Sequence, residues 1–89
     1  MAMRVLPIIN KRGLHARASS RFVKCVESFQ ADVSVAKDGM SVSGASIMGL
    51  MLLAASKGSA ISVSATGSDA EAALDALEAL VGDRFGEDE

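Results

Sequence analysis

Segments with apolar residues at every second position alternate with segments whose apolar residues recur every three to four positions. One such region is DVSVAKDGMSVS at 32–43, where Asp38-Gly39 separates two alternating runs. An Asp-Gly pair readily adopts the positive φ angles of a two-residue hairpin turn. We therefore predict a β-hairpin in the middle of the chain, around which the other elements are arranged.

The N-terminal third predicts one strand and one helix. MRVLPII has strand-type residues, but Pro7 cannot donate to a sheet ladder, which places this strand at a sheet edge. After the NKRG turn, apolar residues recur at helical spacing, which predicts a helix that begins near Ala16. The predicted apolar face of that helix holds Ala18, Phe22, Cys25, Val26 and Phe29.

The C-terminal half predicts helix, strand and helix. SIMGLMLLAASKG at 46–58 is apolar with helical spacing and ends at Gly58, a residue type that often caps helices. AISVSAT at 60–66 alternates as a strand, and SDAE at 68–71 is a typical capping box before a final amphipathic helix. The predicted element order is therefore βαββαβα.

This order with half-apolar strands predicts an α+β fold built as an open-faced two-layer sandwich, in which three helices cover one face of a four-stranded antiparallel sheet. A ferredoxin-like plait shares the order βαββαβ and differs in strand order, so the pattern leaves it open. We expect residues 1–89 to form a single domain, with residues 86–89 as a frayed acidic tail.

Composition argues against several classes of protein. Apolar residues make up 49% of the chain and there is one proline, which is typical of a globular core. The single Cys25 excludes an internal disulfide, and we expect it to be a small core residue. The sequence shows no secretory signal pattern and no apolar run of about 20 residues, so we expect a cytoplasmic protein without membrane insertion.

The charges are unevenly distributed, although the net charge is only −2. Residues 1–26 hold six basic side chains and no acidic one, whereas residues 69–89 hold eight acidic side chains and a single arginine. The chain lacks aromatic residues interleaved with its basic ones, so we do not expect nucleic acid as a partner. The basic half contains the only histidine, His15.

GLHARAS at 13–19 places His15 at the start of the first predicted helix. The ring would then lie beside free backbone N–H groups and the positive end of the helix dipole, where anions bind. A phosphoryl group on a ring nitrogen would be held by those donors and by Arg17. A histidine that only caps the helix fits the same spacing, so the residues alone leave both interpretations open.

Other site chemistries find little support. One histidine and one cysteine without a CxxC pattern do not predict a metal site. The chain also lacks the glycine-rich loops that hold nucleotides. We therefore expect neither a metal nor an organic cofactor.

Two separated motifs, GLHARASS at 13–20 and SIMGLMLLAASKG at 46–58, resemble the histidine-site and serine-site motifs of the HPr phosphocarrier family. This family belongs to the bacterial phosphoenolpyruvate-dependent sugar phosphotransferase system, and the resemblance covers the whole chain in length and element order. It implies that His15 accepts a phosphoryl group from phospho-Enzyme I on Nδ1 and passes it to EIIA components of sugar permeases. Arg17 would stabilise the phosphate, and the protein would be a monomeric phosphoryl carrier and not an enzyme.

The resemblance also implies regulation and docking. Ser46 matches the serine that HPr kinase/phosphorylase phosphorylates in the family, and the helix that follows it docks partner proteins. The expected docking residues are Ile47, Met48 and Met51, with Ser20, Arg21 and Lys24 on the rim. Methionine side chains adapt to several partners in turn, which suits such a surface.

Three alternatives stay open from the sequence. A nitrogen-branch paralogue would use the same His15 chemistry to feed regulatory proteins. A regulatory binding module would act through Ser46 alone, and a ferredoxin-like domain would bind a metal or small molecule.

Overall fold

The computed structural model describes residues 2–88. Its elements are β1 (Ala2–Pro7), α1 (Ala16–Glu27), β2 (Asp32–Lys37), β3 (Met40–Ser43), α2 (Ile47–Leu52), β4 (Ala60–Thr66), α3 (Ala70–Gly82) and a 3-10 turn (Arg84–Gly86). The four strands form one antiparallel sheet in the order β1-β4-β2-β3. The predicted open-faced sandwich is confirmed. Its strand order differs from that of the ferredoxin-like alternative.

The two faces of the sheet differ because successive side chains of a strand point to opposite sides. The face under the helices is apolar, with Val35, Ile61 and Val63 fully buried. The other face carries serines on neighbouring strands, where Ser34 pairs with Ser64. β1 lies at the edge, as Pro7 predicts, and pairs with β4.

The hairpin between β2 and β3 has the predicted turn. Asp38 has φ of 51° and Gly39 has φ of 83°. Both central residues therefore occupy the left-handed region that a tight hairpin turn requires.

Helix α2 is shorter than the sequence predicts. It ends at Leu52, and Ala54 then adopts a left-handed conformation with φ of 52°. Gly58 does not cap the helix but lies in the turn before β4, where its N–H donates to the Ile8 carbonyl oxygen at 2.9 Å. The predicted end at Gly58 is wrong because the chain leaves the helix to bring this turn against the end of β1.

The capping box predicted at 68–71 is also wrong. The N-cap of α3 is Asp69, whose side chain makes no capping hydrogen bond. Its carboxylate instead accepts from the Gln30 backbone N–H at 2.7 Å. This contact ties the start of α3 to the loop after α1.

The C-terminal tail differs from the predicted frayed segment. Phe85 is fully buried in the core, after Arg84 and Phe85 turn the chain with φ of 55° each. Beyond it, Glu87 contacts His15 and Asn10, so the tail is packed as far as residue 87. Glu89 lies outside the described residues. Within residues 2–88, the structure contains no helix that meets the length and apolarity needed to span a membrane.

Candidate functional site

The loop between β1 and α1 is held tightly against the segment that follows α2. The Leu14 N–H donates to the Ala55 carbonyl oxygen at 2.9 Å, and the Leu14 side chain is buried. Gly13 has φ of 65°, and a Cβ there would overlap the same carbonyl and lie 2.9 Å from the Ser56 Cα. Only glycine fits this close approach, which fixes where His15, two residues later, leaves the loop.

His15 is the N-cap of α1, as the sequence predicts. Its backbone is extended, and its Nδ1 accepts a hydrogen bond from the Arg17 backbone N–H at 3.2 Å. The side chain is 19% exposed. Nδ1 therefore lies beside the free N–H groups of the first helical turn, where the positive end of the helix dipole favours an anion.

The other ring nitrogen of His15 faces the C-terminal tail. His15 Nε2 makes a short contact with Glu87 Oε2. The second carboxylate oxygen, Oε1, accepts from Asn10 Nδ2 at 3.1 Å, and the same Nδ2 donates to the Gly13 carbonyl oxygen at 2.9 Å. Three side chains from the loop, the helix start and the tail thus form one hydrogen-bonded chain.

The charge of Glu87 reflects these contacts. Burial raises the pKa of its carboxyl group, but hydrogen bonds from His15 and Asn10 and the charges of His15 and Arg12 outweigh burial. The net result is a pKa below the ordinary value. Glu87 is consequently ionised at neutral pH and acts only as an acceptor.

Basic side chains lie near Glu87, the residue that contacts His15. A surface cleft of about 720 Å³ lies between the loop, α1 and the tail. Its lining includes Lys11, Arg12, Arg17 and Arg21. Arg21 also donates from Nη1 to the Phe85 carbonyl oxygen, so it holds the tail in addition to lining the cleft. The acidic Glu87 and Asp88 also line this cleft, so its basic side chains face two carboxylates of the tail.

Helix α2 begins at Ser46, whose Oγ accepts from the Gly49 backbone N–H at 2.9 Å. Beyond Leu50, which is fully buried, the helix exposes apolar side chains. The exposed fractions are 39% for Ile47, 70% for Met48, 40% for Met51 and 66% for Leu52. This surface, which we call the α2 patch, contains the three predicted docking residues and Leu52, which the sequence analysis did not include.

The predicted rim residues lie along α1. Ser20 is half-buried, whereas Arg21 and Lys24 are exposed. Helices α1 and α2 pack against each other. The bond from Leu14 to Ala55 also links the histidine loop to the segment after α2. The fold thus joins the two motifs that are separated in sequence.

Asn10 and Glu87 were missed by the sequence analysis. Glu87 lies 72 positions from His15, in a run of acidic residues that has no local pattern of its own. The only signal for Asn10 is a polar residue that follows an apolar strand, and this is common in loops. Cys25 is half-buried, and burial raises the pKa of its thiol. Among residues 2–88, no three His, Cys, Asp or Glu side chains are arranged to hold a metal ion.

Comparison with known proteins agrees with this geometry. Residues 3–83 match the family described as the PTS HPr component phosphorylation site. The chain is 45% identical to phosphocarrier protein HPr of Cupriavidus necator over 89 residues, with full coverage of both chains. It is 39% identical to phosphocarrier protein NPr of Shewanella violacea, covering 94% of this chain and 92% of that one.

A solved structure shows the same fold. The crystal structure of HPr-C-His from Thermoanaerobacter tengcongensis superposes with a TM-score of 0.95 at 40% identity and full coverage of both chains. The matched family, the similar sequence and the similar structure all agree over most or all of the chain. The chain therefore belongs to the HPr family of phosphocarrier proteins of the phosphotransferase system.

Proposed function

We propose that this protein accepts a phosphoryl group from phospho-Enzyme I on His15 Nδ1 and passes it to EIIA components of sugar permeases. The observation that carries the proposal is the position of Nδ1 at the N-terminus of α1, next to the Arg17 backbone N–H. This donor binds the ring nitrogen before transfer. It can turn to a phosphoryl oxygen once phosphorus occupies that nitrogen.

Phosphoryl transfer requires hydrogen-bond donors that are placed to stabilise the negative charge of the phosphoryl group. In phosphoryl transfer, negative charge is spread over the equatorial oxygens, and catalysis depends on placement and electrostatic stabilisation. Arg17 and Arg12 line the same cleft as Glu87, which contacts His15, and are the side chains that we assign to this charge. The protein itself turns over no substrate, since the phosphoryl group leaves on the next partner.

We assign partner docking to the α2 patch, with Ser20, Arg21 and Lys24 as its rim. The exposed apolar side chains of Met48 and Leu52 support this assignment, because such residues clustered on one short helix are typical of an interaction surface. Enzyme I and EIIA must use the patch in turn, and flexible methionines suit that requirement. We expect the protein to work as a cytoplasmic monomer.

We further propose that HPr kinase/phosphorylase regulates the protein at Ser46. The capping bond from Ser46 to Gly49 supports this, because a phosphate placed there would lie at a helix N-terminus and leave α2 intact. Its charge of about −1.5 to −2 would lie beside the α2 patch and oppose docking. Phosphorylation would therefore inhibit partner docking without unfolding the protein.

A nitrogen-branch carrier is the second candidate, and the similarity to the Shewanella violacea NPr is the observation that favours it. The chemistry at His15 is the same in both candidates. They differ in which Enzyme I donates the group and which EIIA accepts it.

The experiment that tests the proposal is phosphorylation by Enzyme I and phosphoenolpyruvate, followed by intact-mass measurement and peptide mapping. We expect one acid-labile phosphoryl group on the wild-type protein and none on His15→Ala. Sugar-branch and nitrogen-branch Enzyme I are assayed separately, so that the faster donor identifies the branch. No mass increase with either donor would contradict the carrier function and leave regulation through Ser46 to be tested.

A further inference from the structure

We propose that Glu87, held in place by Asn10, is a positioning residue for phosphoryl transfer. It keeps the ring proton of His15 on Nε2, so that Nδ1 carries the lone pair that attacks phosphorus. This inference rests on the proposed carrier function and adds to it a residue from the far end of the chain.

The two contacts of the His15 ring select one tautomer. A neutral imidazole has one N–H donor and one acceptor nitrogen, and the partner of each nitrogen decides which is which. Nδ1 faces the Arg17 backbone N–H, which can only donate. Nε2 faces the Glu87 carboxylate, which can only accept when ionised. Both contacts therefore place the proton on Nε2.

Asn10 aims the carboxylate at the ring. Its side chain is fully buried, and its Nδ2 donates to the Gly13 carbonyl oxygen and to Glu87 Oε1. Because both partners are acceptors, the opposite orientation of the amide would bring oxygen against oxygen. Asn10 Oδ1 has no hydrogen-bond partner among the described residues, so the amide acts through its donor atom. The buried Asn10 side chain therefore holds the Glu87 carboxylate in place.

The tail residues just before Glu87 are held in one position by their contacts. Phe85 is fully buried, and Arg21 Nη1 donates to its carbonyl oxygen. Gly86 has φ of 80°, and a Cβ at this position would lie 2.7 Å from Arg21 Nη1. The residues just before Glu87 are therefore fixed by the core and by α1. The contact with His15 follows from this anchoring.

The chemistry gives Glu87 a role in the transfer step. The Nδ1 lone pair forms the bond to phosphorus while the bond from phosphorus to the donor atom breaks, and the donor atom keeps that electron pair. The proton stays on Nε2, so the ring becomes positively charged as the bond forms. A carboxylate opposite Nε2 stabilises this charge, and it is placed there before the reaction begins. Transfer to the acceptor reverses these changes.

The test begins with NMR of the full-length, unphosphorylated protein, without any partner. Long-range proton–nitrogen correlation spectra of the His15 ring, recorded at a pH about two units above the ordinary histidine pKa of roughly 6.5, report which nitrogen is protonated. In Glu87→Gln the amide oxygen is expected opposite Asn10 Nδ2, which turns the amide nitrogen toward Nε2. An acceptor is thereby replaced by a donor.

We expect the wild type to show the tautomer with the proton on Nε2, and Glu87→Gln to shift the ring nitrogen signals toward the form with the proton on Nδ1. Glu27→Gln removes the same charge from an exposed position of α1 and should match the wild type. Phosphorylation of Glu87→Gln by Enzyme I should be slower by about tenfold, the lower end of the loss seen when the partner that orients a metal-bound histidine is removed.

Unchanged ring signals in Glu87→Gln would overturn the inference, and so would a changed tautomer with an unchanged phosphorylation rate. Failure of the proposed function gives a different result. In that case Enzyme I does not phosphorylate the wild type at all, while the NMR spectra still report the effect of Glu87 on the ring.

Discussion

Ala54 adopts a conformation that a residue with a Cβ atom rarely takes. Its φ is 52°, in the left-handed region, and its side chain is exposed. A non-glycine residue in this region destabilises the folded state by about 1–2 kcal/mol. Glycine avoids this strain, but it also gives the unfolded chain more conformational freedom, which offsets part of the gain. We expect Ala54→Gly to stabilise the protein by about 0.5–1 kcal/mol, which would raise the thermal midpoint by about 3–6 °C.

The matched control for Ala54→Gly is Ala72→Gly. Ala72 is also exposed, but it lies within α3, where glycine should destabilise by about 0.5–1 kcal/mol. Thermal unfolding by circular dichroism measures both. A loss of stability in Ala54→Gly would contradict the argument from backbone strain.

Glu87 links the stability of the protein to pH. The pKa of its carboxyl group is lower in the folded protein than the ordinary value of 4.5. The unfolded chain therefore takes up a proton first as the pH falls, so the stabilisation is present above pH 4.5 and is lost as the pH falls through the folded-state pKa. On acidification, we expect the stability of Glu87→Gln to fall less than the stability of the wild type.

Thermal midpoints measured from neutral pH down to about pH 3 test this, since that range covers the ordinary carboxyl titration. Glu27→Gln, with the same charge change at an exposed site, should keep the wild-type slope. Parallel curves for the wild type and Glu87→Gln would show that the contacts of Glu87 contribute nothing to folding.

The 3-10 turn Arg84–Gly86 anchors the tail through one side chain. Phe85 is fully buried, and truncation of a buried phenylalanine to alanine costs about 3–5 kcal/mol. We expect Phe85→Ala to lose stability by this amount and to release Glu87 from His15. Urea unfolding measures the first effect, and the His15 ring signals measure the second. Phe85→Leu leaves a smaller cavity than Phe85→Ala and should therefore cost less stability.

Helix α2 has only six residues and depends on its N-cap. The Ser46 Oγ accepts from the Gly49 N–H, and loss of such a cap costs about 1 kcal/mol. We expect Ser46→Ala to lose this stability and Ser46→Asp to retain it, because aspartate is a comparable cap. In a binding assay with Enzyme I, Ser46→Asp should bind more weakly than Ser46→Ala, since its charge lies beside the α2 patch. Equal binding would argue against regulation at this position.

Arg4 joins the first strand to the last helix and so connects the two ends of the molecule. Its Nη1 lies 2.7 Å from Asp75 and 2.8 Å from Glu78, and its Nη2 lies 3.2 Å from Glu71. Without the arginine, three carboxylates on one face of α3 would repel each other. We expect Arg4→Gln to lower the thermal midpoint at low salt.

The same measurement at about 1 M salt, where charges are screened within about 3 Å, supplies the control. The difference between Arg4→Gln and the wild type should shrink there. A difference that is independent of salt would indicate that Arg4 contributes through packing of its side chain and not through charge.

The element order, the hairpin at Asp38-Gly39 and the cap at His15 could be predicted because each depends on neighbouring residues. Side-chain spacing sets which face of a strand or helix is apolar, and a turn or cap forms within a few positions. Short stretches of sequence therefore determine these features. The HPr motifs could be identified for the same reason.

The end of α2, the start of α3 and the place of the tail depend on residues that are distant in sequence. Ala54 leaves the helix so that the following turn can reach Ile8, and Asp69 binds Gln30 in preference to capping α3. Glu87 reaches His15 across 72 positions only because the core takes up Phe85. Such contacts form after the sheet and helices have packed, and no local pattern of residues encodes them.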